Sequence, residues 1–286
     1  MMAPFVARIR LHLIKSCAGT DVPQAYLDVD GFVHDRDLVL VEPDGLFMSQ
    51  RDFPRMALIR PHLGRLEALG RLQHSGILVV RAPSMPDLSV AFFHHQSDLN
   101  MPRTVRIHED DGWGCDMGLE AAEWFGAFLA NPCALVRMVH HARLHHSSVL
   151  DESFEVRGQD GYPVHILGAP SCDDLNHRAS AYTPPENFRA NILIGGINPY
   201  EEDTWVGRRI CIGKAVMRVV KLNQRCPIPT VDQNVGELAD DPWREEPLRT
   251  LLTYREAPEG GVTLGVNCVV DIPGDIHRGD TVEILA

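Results

Sequence analysis

The side chain best placed for chemistry in this sequence is the thiol of Cys226. It follows Arg225 at the end of an apolar Val/Met/Leu run and precedes Pro227-Ile228-Pro229 and Thr230-Val231-Asp232. Two prolines within three residues stop further helix or ladder pairing, so the sequence sets the thiol at a fixed bend. A neighbouring guanidinium favours the thiolate, the form that attacks electrophiles and binds soft metals. On local grounds alone, a small buried hydrophobe is the more ordinary reading of this cysteine.

Other candidates are weaker one by one. Lys15-Ser16, Asp35-Arg36, Arg51 and Arg189 are each readable as a surface charge or a local ion pair of little energetic consequence. Brought together from several loops, Arg, Lys, Ser and Asn side chains would instead form an anion pocket. His140, His141, His145 and His146 crowd one polar stretch without a Cys or acidic partner at metal-ligand spacing, and read as a solvated connection. His94-His95 reads the same way.

The elements that must position these groups come from an ordinary globular composition. The chain has 286 residues, 44% hydrophobic and 23% charged, enough for one large domain or two ordinary ones. Its 39 acidic and 27 basic residues give a net charge of −12, the wrong sign for a nucleic-acid binder. Apolar runs such as Ile77–Val80 are too short to span a bilayer. The start shows neither a secretory signal nor a twin-arginine pair, so a cytoplasmic protein without membrane attachment is expected. The seven cysteines are widely spaced and include no C-x-x-C, which argues against a disulfide framework, a zinc ribbon and an iron–sulfur cluster.

Period-two alternation over residues 7–13 predicts a strand with Ala7, Ile9, Leu11 and Leu13 inward and Arg8, Arg10 and His12 wet. Leu38–Val41 and Leu46–Met48 flank Glu42-Pro43-Asp44-Gly45, a hairpin signal. Further strands are expected at Ile77–Arg81, Val90–His94, Val105–His108, Ala134–Val139, Asn191–Ile194, Arg209–Ile212 and Val216–Leu222. A terminal pair, Val266–Ile272 and Thr281–Leu285, is expected around a Pro273-Gly274-Asp275 turn. Helices are expected at Gly118–Ala130, from a capping box at Ser171–Asp174 through Asn176, and at Pro247–Arg255. The sum is a β-rich α+β chain of two domains joined near 131–148.

Taken in order, several segments resemble the MOSC superfamily with its N-terminal β-barrel partner domain, in particular the amidoxime-reducing proteins of mitochondria and their bacterial relatives. In the first half these are Ile14-Lys15-Ser16-Cys17-Ala18-Gly19, Gly31-Phe32 through Asp35-Arg36, and Ser49-Gln50-Arg51-Asp52-Phe53-Pro54-Arg55. In the second they are Asp174-Leu175-Asn176, Phe188-Arg189-Ala190-Asn191-Ile192, Tyr200 through Trp205, Arg225-Cys226 through Thr230-Val231-Asp232, and Gly265-Val266-Asn267. The resemblance implies a barrel-like N-terminal domain over 1–131 packed on a MOSC β-barrel over 132–286, with molybdenum cofactor (Mo-molybdopterin) between them.

Cys226 would then ligate molybdenum. Lys15, Ser16, Arg36, Ser171, Arg189 and Asn191 would hold the pterin and its phosphate, with Gln224, Arg225 and Asn267 beside them. Asp232 has two readings there, a proton relay or the cap of the turn after Pro229. The sequence departs from the family at Asn223, where a second cysteine is common, at Ala190 in place of proline, at Val235-Gly236 and at the bulkier Gln224.

By resemblance the reaction is two-electron reduction of a small N-oxygenated compound: an amidoxime, hydroxylamine or N-oxide. No ferredoxin cysteine pattern and no Gly-rich dinucleotide fingerprint is visible, so an external ferredoxin, flavoprotein or cytochrome-type donor is expected. The alternatives are a cofactor carrier or sulfur-transfer protein, and a non-catalytic interaction domain.

Overall fold

Alternating apolar residues fold the start of the chain into a strand, Phe5–Leu11, that buries Val6, Ile9 and Leu11. The computed structural model describes residues 3–63, 76–91, 102–139, 141, 143–258 and 260–285. The first strand pairs antiparallel with Thr20–Val22 on one side and Ile192–Gly195 on the other. It thereby enters an eight-stranded sheet that continues through Val164–Gly168, Val262–Ile272, Ala215–Arg225, Arg209–Ile212 and Val282–Leu285. Val164–Gly168 and Ile192–Gly195 run parallel, and the intervening crossover carries the helix Ala169–Arg178.

A second sheet orders Leu38–Val41, Ala134–Met138, Asp110–Asp116 and Pro102–Ile107. Two three-stranded sheets add Gly274–His277, Gln24–Asp28 and Gly31–Phe32, and then Arg60–Leu63, Ile77–Arg81 and Leu88–Ala91. The helix Leu119–Leu129 buries Trp124, Phe125 and Phe128 and ends where Ala130 turns left-handed at φ 53°. The result is the expected strand-rich α+β architecture. One apolar core runs through it, joining Leu27, Leu40 and Phe125 of the first half to Ile166, Ile192 and Val266 of the second. No helix among the described residues is long and apolar enough to cross a membrane.

Sheet pairing crosses the expected division at 131/132 in both directions. Phe5–Leu11 belongs to the large sheet of the second half, and Ala134–Met138 lies between two strands of the first. Gln24–Asp28 pairs with Gly274–His277 near the far end of the chain.

Several local expectations need correction. The histidine-rich stretch is not a simple connection: Leu144–Ser147 is a strand paired with Glu152–Glu155. His145 turns to Asp110 at 2.9 Å, His146 to Ser153 at 3.3 Å, and His141 to Glu155 at 2.5 Å. His140, His94 and His95 lie outside the described residues, as do positions 92–94 of the strand expected at Val90–His94, which is observed at Leu88–Ala91.

The Pro273-Gly274-Asp275 segment does not join a terminal pair, because Gly274 begins a strand and Val282–Leu285 pairs with Arg209–Ile212. Leu46–Met48 is held by single bridges from Leu46 to Arg106 and from Phe47 to Val41. The last helix is one regular turn, Leu248–Leu251, after which Thr263 N–H reaches the Arg255 carbonyl and turns the chain into a strand. His12 is buried rather than wet, because the chain leaves the sheet after Leu11 and the His12 amide binds Asp35 at 2.7 Å.

Candidate functional site

Three chain turns in the sparsely populated left-handed region present the basic side chains: Ser16 at φ 65°, Arg36 at 56° and Arg189 at 56°. Lys15 and Ser16 follow the first strand, and the Lys15 amide is held by the Leu38 carbonyl at 2.7 Å. Arg36 is anchored through its own amide to the His12 carbonyl at 2.6 Å. Arg189 closes the short turn Pro185–Phe188 and donates Nη1 to the Cys17 carbonyl at 2.8 Å, tying the halves together. Arg36 Nη2 in turn donates to the Arg189 carbonyl at 3.2 Å. Asn191 Oδ1 accepts the His165 amide at 3.2 Å, and its Nδ2 donates to the Arg10 carbonyl at 3.3 Å.

Arg225 ends the long Ala215–Arg225 strand, donates Nη2 to the Phe188 carbonyl at 2.8 Å and stacks over the Phe188 ring. Cys226 follows directly, half-buried, at the bend before Pro227.

These groups line one cleft of about 260 Å³. Lys15, Ser16, Arg36, Arg189, Asn191, Gln224, Arg225, Asn267 and Cys226 all face it. Gln224 sits at an exposed edge, donating to the Gly260 carbonyl at 2.7 Å. Asn267 lies on the Val262–Ile272 strand, in register with His165.

Ser171 and Asp232 are not among the lining residues. Ser171 is fully buried and donates to the Glu202 carboxylate at 2.7 Å, so it does not cap its helix, which begins at Ala169. Asp232 is exposed and accepts the amides of Asn234 and Val235 at 2.8 and 3.2 Å, which is the turn-capping reading.

The cleft concentrates positive charge although the whole chain is acidic. Burial lowers Lys15 to about 8 and Arg189 to about 10, the latter with help from neighbouring Arg36. Burial likewise lowers Arg225. His165 is pushed well below its usual range by burial, with Arg225 and Arg36 adding to the effect. Arg189 Nη2, Arg225 Nε and His165 Nε2 are buried without a hydrogen-bond partner. Unsatisfied buried donors are costly, and an anion with several acceptor oxygens would satisfy them.

Of the seven cysteines, Cys226 alone lines this cleft. Burial pushes Cys17 up to about 12 and Cys133 to about 11, and raises Cys172 and Cys268 as well.

The sequence reading missed one whole wall, Gln159–Tyr162, and the isolated His108 and His165. The run Gly158-Gln159-Asp160-Gly161-Tyr162-Pro163 carries a turn signal that could have flagged it. A single histidine, in a turn as His108 or on a strand as His165, carries no spacing signal.

Fold and cleft define a class: a strand-rich protein with a cationic, thiol-bearing ligand cleft formed by both halves of the chain. Residues 3–132 match the family described as MOSC N-terminal beta barrel domain, and residues 153–283 match the MOSC domain. The chain is 32% identical to mitochondrial amidoxime reducing component 2 of Homo sapiens, over 97% of this chain and 82% of that protein. It is 29% identical to mitochondrial amidoxime-reducing component 1 of Homo sapiens, over 98% and 82%. A third relative, molybdenum cofactor sulfurase of Homo sapiens, is 24% identical over 81% of this chain but only 27% of its own length. This chain belongs to the MOSC family, in the group that carries the N-terminal MOSC β-barrel domain.

Proposed function

We propose that this protein is a molybdenum-cofactor-dependent reductase of small N-oxygenated compounds, with Cys226 as the protein ligand to the metal. One observation carries the reading: a half-buried cysteine and the cations Lys15, Arg36, Arg189 and Arg225 converge on a single cleft, with orphaned guanidinium N–H groups among them. The donor set fits the group. A soft thiolate suits a soft metal centre, and forked guanidinium donors suit a phosphate.

When bound, the cofactor supplies the two-electron redox chemistry. Arg36, Arg189 and Asn191 would grip its anionic end, while Arg225, held by the Phe188 carbonyl, stands beside Cys226. Phe47, Phe188 and Ile228 line the same cleft and keep part of it dry. An external protein delivers the electrons.

The test is molybdenum and pterin content of chain purified from a cofactor-competent host, together with benzamidoxime reduction by reduced viologen. Cys226→Ala is expected to lose molybdenum and turnover, while Cys115→Ala and Cys133→Ala keep both. Normal turnover and full molybdenum in the Cys226 variant would overturn the ligand assignment. Pterin without turnover in the native chain would instead favour a cofactor carrier.

A further inference from the structure

One wall of the cleft holds titratable groups that cofactor binding leaves without a role. His108 lies in the turn between Pro102–Ile107 and Asp110–Asp116, at φ 54°, a conformation uncommon for any residue with a Cβ. Its ring packs edge-on against Phe47, with centroids 5.0 Å apart. Its Nε2 lies 3.3 Å from Asp160 Oδ1, and its side chain remains 43% exposed. The same carboxylate oxygen accepts Lys15 Nζ at 2.5 Å, and that amine is buried and also donates to the Gly158 carbonyl. Both His108 and Asp160 line the cleft.

The loop carrying Asp160 is fixed from behind. Arg143, whose side chain is sealed from solvent, donates to the carbonyls of Arg157, Gln159 and Asp160 and to Asp110. Sequestering a full guanidinium to hold three carbonyls of this loop preorganises the carboxylate.

We propose that His108, oriented by the Asp160 carboxylate, forms the proton port of the cleft and exchanges protons between solvent and its interior. The inference rests on the reductase reading above. Reduction of an amidoxime breaks the N–O bond and consumes two electrons from the external donor and two protons. One proton ends on nitrogen, giving the amidine, and the other completes the water that leaves. Protons must therefore enter the cleft twice per turnover, and the imidazole–carboxylate pair joins solvent to its interior.

The charged and titratable groups around His108 are Asp160 and Lys15 in the same network, Arg51 beyond the Phe47 ring, and Arg143 behind Asp160. Asp110 and His145 engage each other at 2.9 Å.

The experiment compares native chain with His108→Gln and Asp160→Asn, loaded with cofactor and driven by reduced viologen. His108→Gln is expected to keep native molybdenum and pterin content while kcat falls by about 100-fold, the usual scale for losing one acid–base group. Added imidazole should restore part of the rate in His108→Ala. A second readout needs no activity: in cofactor-free chain at one fixed pH, the His108 Nε2 NMR resonance should move in Asp160→Asn, because its hydrogen-bond partner has changed. Native kcat in His108→Gln would overturn the proposal, as would loss of kcat only in proportion to lost cofactor. An unmoved His108 Nε2 resonance in Asp160→Asn would overturn it as well. Native chain that binds cofactor but reduces nothing would count against the reductase reading, whereas the NMR comparison still tests the pair.

Discussion

His12 and His165 are sealed from solvent at 1% and 7% exposure, and both stand beside guanidinium groups. Burial, with Arg189 and Arg36 near His12 and Arg225 and Arg36 near His165, drives both imidazoles well below their usual range. The folded chain keeps both neutral, while the unfolded chain takes up two protons as pH falls through about 6.5. Stability from this source is complete above about pH 6.5 and declines below it, by about 1.4 kcal/mol per pH unit for each histidine. Asp37 adds a later loss. Burial opposes its ionisation, but Arg157 and His34 prevail and hold it at about 2, so its contribution disappears only as pH falls from about 4 toward 2. Lys15 acts at the other end: lowered by burial to about 8 from 10.5, it makes stability rise as pH climbs through that interval. Urea midpoints should therefore hold nearly level from pH 7.5 to about 6.5 and fall from there to pH 5.5, and His165→Gln should flatten the fall. Equal midpoints at pH 7.5 and about 5.5 would refute this account. At this scale Cys226 was legible because its neighbours, an arginine and two prolines, are sequential. Ser171 was not, because what decides its role is Glu202, which only the fold brings to it.

The loop at 158–162 shows what a short element does for the cleft. A Cβ on Gly158 would lie 2.3 Å from the Arg36 carbonyl oxygen and 2.9 Å from Val39 Cγ2. The Gly158 amide already donates to that carbonyl at 3.1 Å, and its own carbonyl accepts Lys15 at 2.9 Å. Glycine is therefore required by close approach of two backbones. Gly158→Ala should destabilise the chain by about 1–3 kcal/mol, the scale of overpacking. It should also lower pterin content, because Arg36 and Lys15 both shift. An unchanged melting temperature with full pterin would show that the loop yields freely. Elements with one apolar face, such as Leu119–Leu129 and Arg209–Ile212, were readable from periodicity. Val164–Gly168 was not: it is buried on both faces, so it lacks the alternation that marks a half-wet strand. Leu144–Ser147 was hidden for the opposite reason, since its histidines and serine gave no apolar side to detect.

At the scale of the whole molecule, the net charge of −12 gives no hint of the cleft, whose cations come from both ends of the sequence. That convergence depends on strands exchanged between the halves. Phe5–Leu11 is hydrogen-bonded to Ile192–Gly195, and Arg36 and Arg189 are placed relative to each other by that junction. In the other direction, Ala134–Met138 sits between Leu38–Val41 and Asp110–Asp116, bonded to both. A fragment ending at residue 131 would lack this interior strand, leaving two strand edges unpaired and Leu40 and Phe125 short of their core partners across the chain. A fragment beginning at 132 would expose the edge of Ile192–Gly195 and leave Gly274–His277 without Gln24–Asp28. Neither fragment is expected to fold alone, and the intact chain should unfold in one cooperative transition that bound cofactor moves upward. Amide NMR dispersion and thermal melts of residues 1–131 and 132–286, separately and mixed, test this. A dispersed spectrum and a cooperative melt from the isolated 1–131 fragment would mean that the exchanged strands are decoration on independent domains. Recovery of native dispersion only on mixing would mean that the cleft and the fold form in the same step.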